Sequence, residues 1–185
     1  MKKSLIVAGA VVGLVAVWGI GTRNRIVTQD EEITAAGAQV ESVLQRRYDL
    51  IPNLVTTVKG YAAHEREVFE DVTRLRSQWG QAGSAVEKAE ASTQLEGAIG
   101  RLLVVAESYP ELKANQGFLA LQDELAGTEN RIAVERRRYN ESVRAFNAYV
   151  RRFPNNIVAA AMGMARRDAY AEAEVAAKIP PKVEF

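Results

Sequence analysis

No cysteine occurs anywhere in the 185 residues. That excludes a lipid-modified cysteine behind an N-terminal apolar run, and it leaves an oxidising compartment open to the chain. Histidine is almost as scarce, with His64 alone. His64-Glu65 has no second histidine at the spacing of an H-E-x-x-H metal site, and Glu65, Arg66, Glu67 and Glu70 read as a solvated helix face. Glycines are scattered through the apolar run and the turns, so no loop cradles a phosphate. Nor does any glycine-flanked nucleophile motif occur. These absences predict no catalytic residue, no metal and no cofactor: the chain reads as non-enzymatic. Asn-Gly, Asp-Gly and alternating apolar-polar runs are also missing, and proline is confined to positions 52, 110, 154, 180 and 181. An all-helical body follows.

Acidic residues are missing from the first twenty-nine positions, and an uncharged apolar run extends from Leu5 to Gly21 behind Lys2-Lys3. As a helix that run is roughly 25 Å long, against ~30 Å for a hydrocarbon core, with Ser4, Thr22 and snorkelling basic side chains closing the gap. Trp18-Gly19-Ile20-Gly21-Thr22 is a poor cleavage site because Ile20 separates the two glycines, so an uncleaved anchor is favoured over a signal peptide. Lys2 and Lys3 favour a cytoplasmic N-terminus, with Arg23 and Arg25 weakening the asymmetry. The expected organisation is a cytoplasmic segment 1–4, a transmembrane anchor 5–22, a helical bundle 23–179 and an extended tail 180–185. The anchor contacts membrane lipid in the cell's inner membrane, and the body lies outside the cytoplasm. Gly9-x-x-x-Gly13 permits close helix contact in lipid, and with it a homo-oligomer. Without Lys2 and Lys3, the 24 basic residues fall to 22 against 23 acidic, which argues against nucleic acid as a partner.

Helical spacing links Ile33, Ala36, Val40, Val43, Ile51, Leu54, Val58, Tyr61, Val68, Val72, Leu75 and Trp79 into one stripe. Its phase survives Pro52, which predicts one kinked helix ending near Gly80, Gly83 and Ser84. Pro52 lacks an amide and so frees the Tyr48 carbonyl for another partner. A shorter pattern runs from Val86 through Leu95, Ile99, Leu102 and Leu103 to Ala106, and Tyr109-Pro110 ends it. After Asn115 comes a coiled-coil-like seam of Phe118, Leu121, Leu125, Thr128, Ile132, Glu135, Tyr139, Ser142 or Val143, Phe146, Tyr149 and Phe153. Asn155 or Asn156 is expected to cap a last helix running to about Lys178, before Pro180-Pro181 forces the tail to extend. Long helices with apolar stripes and short turns make a long antiparallel up-and-down bundle.

Polar residues concentrate in Arg46, Arg47, Tyr48 and Asp49 beside Pro52 and Asn53, and again in Glu135, Tyr139 and Asn140. If the two groups meet across the bundle, Glu135 or Asp49 pairs with a facing arginine, and the Tyr139 hydroxyl finds its partner near Arg46–Asp49. Arg47 and Asp49 can tie the Pro52 kink to a neighbour, while Asn53 offers its side-chain amide to a freed carbonyl. Two uses fit such a cluster: a structural ion-pair network that fixes register, or a site for a small acidic or lipid ligand.

The run Gln45-Arg46-Arg47-Tyr48-Asp49-Leu50-Ile51-Pro52-Asn53-Leu54-Val55, with Val58-Lys59-Gly60-Tyr61 and His64-Glu65, strongly resembles the LemA family. Tyr139-Asn140, Val143, Phe146-Asn147, Phe153-Pro154, Asn156 and the ending Pro181-Lys182-Val183-Glu184-Phe185 carry the same resemblance. It implies a membrane anchor, a soluble body of long antiparallel helices and no established enzymatic activity. One branch of the family includes a magnetosome-associated protein, which implies a role in membrane organisation. Two departures stand out: Gly19-Ile20-Gly21-Thr22 replaces a lipobox cysteine, and Gly163-Met164 replaces a Gly-Phe pair. The resulting expectation is a membrane-anchored helical scaffold that engages an as yet unknown protein partner or the membrane. The alternative is a binding module for an acidic or lipid ligand, built on the arginines near Pro52.

Overall fold

A computed structural model describes residues 2–83 and 85–170, without the side chains of Ala85, Val86 and Ala89. Among the described residues the chain is all-α. Its helices are α1 (Lys2–Asp49), α2 (Ile51–Lys59), α3 (Arg66–Gln81), α4 (Ala85–Glu107), α5 (Pro110–Lys113), α6 (Gln116–Arg151) and α7 (Asn155–Ala161). The chain divides into two compact units, one of residues 1–40 with 133–185 and one of residues 41–132.

Helix α1 does not pause where the apolar run ends. It continues through Thr22 without a break, so the apolar segment and the first bundle helix are one element. Burial, by contrast, changes sharply. Leu5, Ile6, Leu14 and Val17 are 71–72% exposed, whereas Thr22 and Ile26 are buried. Among the described residues this segment is left exposed, and the helix is long and apolar enough to cross a membrane.

In the first unit, Ile26 and Ile33 of α1 meet Val143, Phe146 and Val150 of α6 and Ala159 of α7 in one apolar cluster. The two long helices run antiparallel here. The Arg25 guanidinium sits 5.6 Å from the Tyr149 ring centre, and a β-carbon on Gly37 would lie 3.6 Å from the Tyr139 ring. After α6 the chain turns through a cis Phe153–Pro154 peptide into α7. Helix α7 ends far short of Lys178, and the physical reason is Gly163. At φ 67° it donates to the Ala160 carbonyl (3.1 Å), and Met164 donates to that of Ala159 (3.0 Å). That pair of bonds is a Schellman ending, which favours glycine at the left-handed position. Residues 171–178 of the expected helix, and the expected tail, lie outside the described residues. Neither asparagine caps α7 by its side chain: Pro154 occupies the cap, and the Asn155 amide donates to the Tyr149 carbonyl. Phe153, expected on the seam, is 81% exposed because α6 has already ended at Arg151.

In the second unit the single kinked helix expected from Ile33 to Trp79 is three helices. Leu50 interrupts it beside Pro52, and Gly60–Glu65 interrupts it again. At Gly60, the poorest helix former short of proline, the Val58 carbonyl accepts from both Tyr61 and Ala62 and closes the turn. The stripe slips by one residue at three places. Leu44, Ala62 and Phe69 are buried where Val43, Tyr61 and Val68 were expected, and Tyr61 is exposed. Trp79 packs edge-on against Tyr48 at 4.6 Å, and α4 buries Leu95, Ile99, Leu102 and Ala106 as its pattern predicts. Asn115 caps α6 by accepting from the Phe118 amide at 3.0 Å.

A chain shortened by residues 1–18, which keeps the buried Thr22 and its helical lead-in, is expected to be soluble, strongly helical and cooperative in thermal melting. Circular dichroism with size-exclusion chromatography checks this, and an aggregated product would mean that the exposed apolar segment is part of the folded core.

Candidate functional site

The sequence-predicted residues fall into two groups, one in each unit. Arg46, Arg47, Tyr48 and Asp49 occupy the last turn of α1, with Pro52 and Asn53 in the first turn of α2. Four consecutive residues on a helix point about 100° apart, so only one of the two arginines faces inward. That one is Arg47, whose side chain is 8% exposed. Its Nε and Nη2 donate in parallel to the two carboxylate oxygens of Glu96 on α4, at 2.7 and 2.6 Å. Nη1 donates to the Leu125 carbonyl at 2.6 Å and to the Thr128 hydroxyl at 3.3 Å, both on α6. Glu129 lies 3.0 Å from Nη2. Of the five N–H groups of a guanidinium, four are engaged in hydrogen bonds, and Glu129 adds an ion pair.

Arg46 points the other way and pairs with Glu124 at 2.9 Å, with both side chains well exposed. Such a pair contributes at most about 1 kcal/mol. Asp49 accepts from the Gln45 amide at 2.8 Å and lies 3.8 Å from Arg76 of α3. The Tyr48 carbonyl, left open by Pro52, accepts from Arg76 Nε at 3.1 Å, so the donor is this arginine and not the Asn53 amide. Elsewhere on α3, a hydrogen bond from Arg74 holds the Asp71 carboxyl below the usual carboxylate range, with the charges of Arg74 and Arg101 acting in the same sense.

The second group lies in the first unit. Glu135 accepts from Arg138 one turn along its own helix at 2.8 Å, not from Arg46 or Arg47. The Tyr139 ring is half-buried rather than buried. It packs edge-on against Tyr170 at 4.8 Å, and its hydroxyl donates to the Asp168 carbonyl at 3.2 Å, not to the Arg46–Asp49 turn. Asn140 and Asn147 do something the sequence reading missed. The Asn147 amide donates to the Arg167 carbonyl (2.9 Å) and its oxygen accepts from the Arg167 amide (3.0 Å). Asn140 treats Tyr170 in the same way, at 3.3 and 2.9 Å. Seven residues of helix rise roughly 10.5 Å and three residues of extended chain about 10 Å, so the two spacings match. Each asparagine thus imitates a neighbouring strand for the segment 167–170. Asp30 of α1 completes the seat, accepting from Arg167 through both carboxylate oxygens at 2.8 Å. The missed residues are Glu96, Glu129, Arg76, Asn147, Arg167, Tyr170 and Asp30. Of these, only the seven-residue spacing of the asparagines was visible in the sequence.

The model of the LemA family matches residues 36–185 and so takes in both groups. The chain belongs to the LemA family. Among LemA relatives, the magnetosome protein MamQ 2 of Paramagnetospirillum magneticum is 27% identical over 175 residues, covering 80% of this chain and 64% of the relative. Magnetosome protein MamQ of Magnetospirillum gryphiswaldense is 28% identical over the same length and coverage. Protein LemA of Metamycoplasma hominis is 26% identical over 141 residues, covering 76% of this chain and 64% of the relative. The chain thus spans 64% of the length of these curated relatives. Both halves of the LemA resemblance have structural employment here. The Arg-Arg-Tyr-Asp-Leu-Ile-Pro-Asn run builds the Arg47 network, and Tyr139-Asn140 with Asn147 seats the segment 167–170.

Arg47→Ala is expected to lower stability by about 3 kcal/mol, near the lower end for a broken buried pair because the carboxylates left behind are partly exposed. Arg47→Lys should recover only part of that, since an ammonium cannot make the two parallel bonds to Glu96. Arg46→Ala should stay within ~0.5 kcal/mol of the parent. Denaturant melts of the three variants in the anchor-free chain check all of this. Asn147→Ala should cost about 1 kcal/mol and speed hydrogen exchange at the Arg167 amide. Asn147→Asp keeps the acceptor and should keep that amide protected.

Proposed function

We propose that this chain is a membrane-anchored helical scaffold, non-enzymatic, that works through protein or membrane contacts outside the cytoplasm. The carrying observation is the exposed apolar stretch of α1 that passes without a break into a packed helical body. Such a helix transmits position rigidly from bilayer to bundle, which suits a scaffold. The names of two relatives place them with magnetosomes, a setting that fits a part in membrane organisation. The absence of a catalytic role is supported by how the strongest polar groups are used. Arg47 is saturated by protein acceptors, and Asn140 and Asn147 hold backbone. The same saturation removes support from an acidic-ligand site at Arg47, and Arg46 is paired with Glu124.

In this reading, residues 2–4 face the cytoplasm of a bacterial inner membrane and the body lies on the far side. The native chain has no cysteine, so His64→Cys, an exposed position, carries a unique label. It is expected to react with a membrane-impermeant maleimide while the inner membrane is intact. Reaction only after lysis would reverse the topology. Cross-linking in the same membranes is expected to capture a second polypeptide. Recovery of this chain alone, together with unchanged membrane morphology on deletion, would remove the scaffold reading.

A further inference from the structure

Phe153 and Ile157 are large apolar side chains, 81% and 58% exposed, in the turn and the helix that close the first unit. Their height along α1 follows from the register. Arg25 stacks on Tyr149 and the Gly37 backbone lies against Tyr139, so the helices run antiparallel, with twelve residues of α1 beside ten of α6. Four positions beyond Tyr149 is Phe153, and four positions before Arg25 is Gly21, the end of the apolar run. Burial agrees: on α1 it begins with Thr22, so the folded body reaches down to that level. The exposed Phe153, just past the end of α6, therefore stands near where α1 would leave the hydrocarbon, and the exposed Ile157 follows in the first turn of α7.

Among the described residues, charge at this end has one sign. No acidic residue occurs before Asp30, and none between Glu141 and Asp168, whereas Arg23, Arg25, Arg151 and Arg152 all fall in these stretches and are exposed. An apolar wedge framed by guanidiniums, beside a helix that is itself suited to the bilayer, matches an interfacial segment on anionic lipid.

We propose that the Phe153–Ile157 turn docks into the headgroup region of an anionic bilayer and seats the first unit directly on the membrane. This rests on the anchoring role given to α1 above. Phe153 and Ile157 enter the interface beside α1, and the four arginines meet lipid phosphates. The unit then has two attachments to the bilayer instead of one.

The test uses the full chain reconstituted into vesicles of equal parts phosphatidylcholine and phosphatidylglycerol. Nitroxides are placed singly by Phe153→Cys, Ile157→Cys, Glu141→Cys and Val11→Cys. Collision with lipid-soluble oxygen and with a water-soluble nickel chelate reports depth. Labels at 153 and 157 are expected to lose access to the nickel chelate, while the label at 141, roughly 18 Å further along α6, keeps it. Free nickel access at 153 and 157 with the label at 11 shielded would overturn the docking and leave the anchor standing. That outcome also covers a face reserved for a protein partner. Nickel access at 11 would overturn anchor and docking together. In phosphatidylcholine alone the shielding at 153 and 157 is expected to weaken, and equal shielding would overturn the choice of an anionic surface.

Discussion

A guanidinium that is nine-tenths buried must be met by acceptors in every direction it donates, and in the second unit that requirement falls on Arg47. One end of α1, the middle of α4 and the first half of α6 must each supply oxygen at a fixed point. Apolar stripes alone tolerate a slip of one helical turn, since a leucine packs nearly as well against the next leucine. Four directed hydrogen bonds and an ion pair do not. Arg47 thus fixes the register in which Leu125 and Thr128 face α1, and it does so with a charge that cannot be discharged by losing a proton.

Pro52 belongs to the same requirement. By withholding an amide it opens the Tyr48 carbonyl, and Arg76 on α3 takes the opening. Consecutive residues Arg47 and Tyr48 therefore reach three different helices, one by side chain and the other by backbone. Among its described residues, the first unit has no buried charged residue. Its core is aliphatic and aromatic, and its polar bonds lie at the edge, where two asparagines and Asp30 hold a non-helical segment.

Spacing in the sequence was enough to place α4, α6 and the inward positions Leu125, Thr128, Ile132 and Phe146, because these sit inside long uninterrupted helices. It failed at ends. Gly60 and Gly163 each close a helix, yet the periodic pattern runs past both, since apolar residues recur at helical spacing whether or not the backbone continues. The Arg47 residues were legible as a cluster, but their partners were not: Glu96 and Glu129 look like any solvated glutamates until tertiary contact brings them in. The seam position of Tyr139 predicts full burial, whereas the structure leaves it half-buried, against the apolar core on one side and Tyr170 on the other. A segment bound through its backbone has no side-chain signature at all, which is why 167–170 escaped notice.

That last property bears on how this part of the chain can drift. Amides that grip peptide groups do not distinguish one side chain from another. Only Arg167, paired with Asp30, and Tyr170, stacked on Tyr139, are recognised by what they carry. Positions 166, 168 and 169 are exposed and bound, if at all, by their main chain. Substitution there is nearly free, so homologues can diverge widely across this stretch while it keeps the same seat, and an epitope or reporter sequence written into those positions would be displayed in a fixed, extended pose.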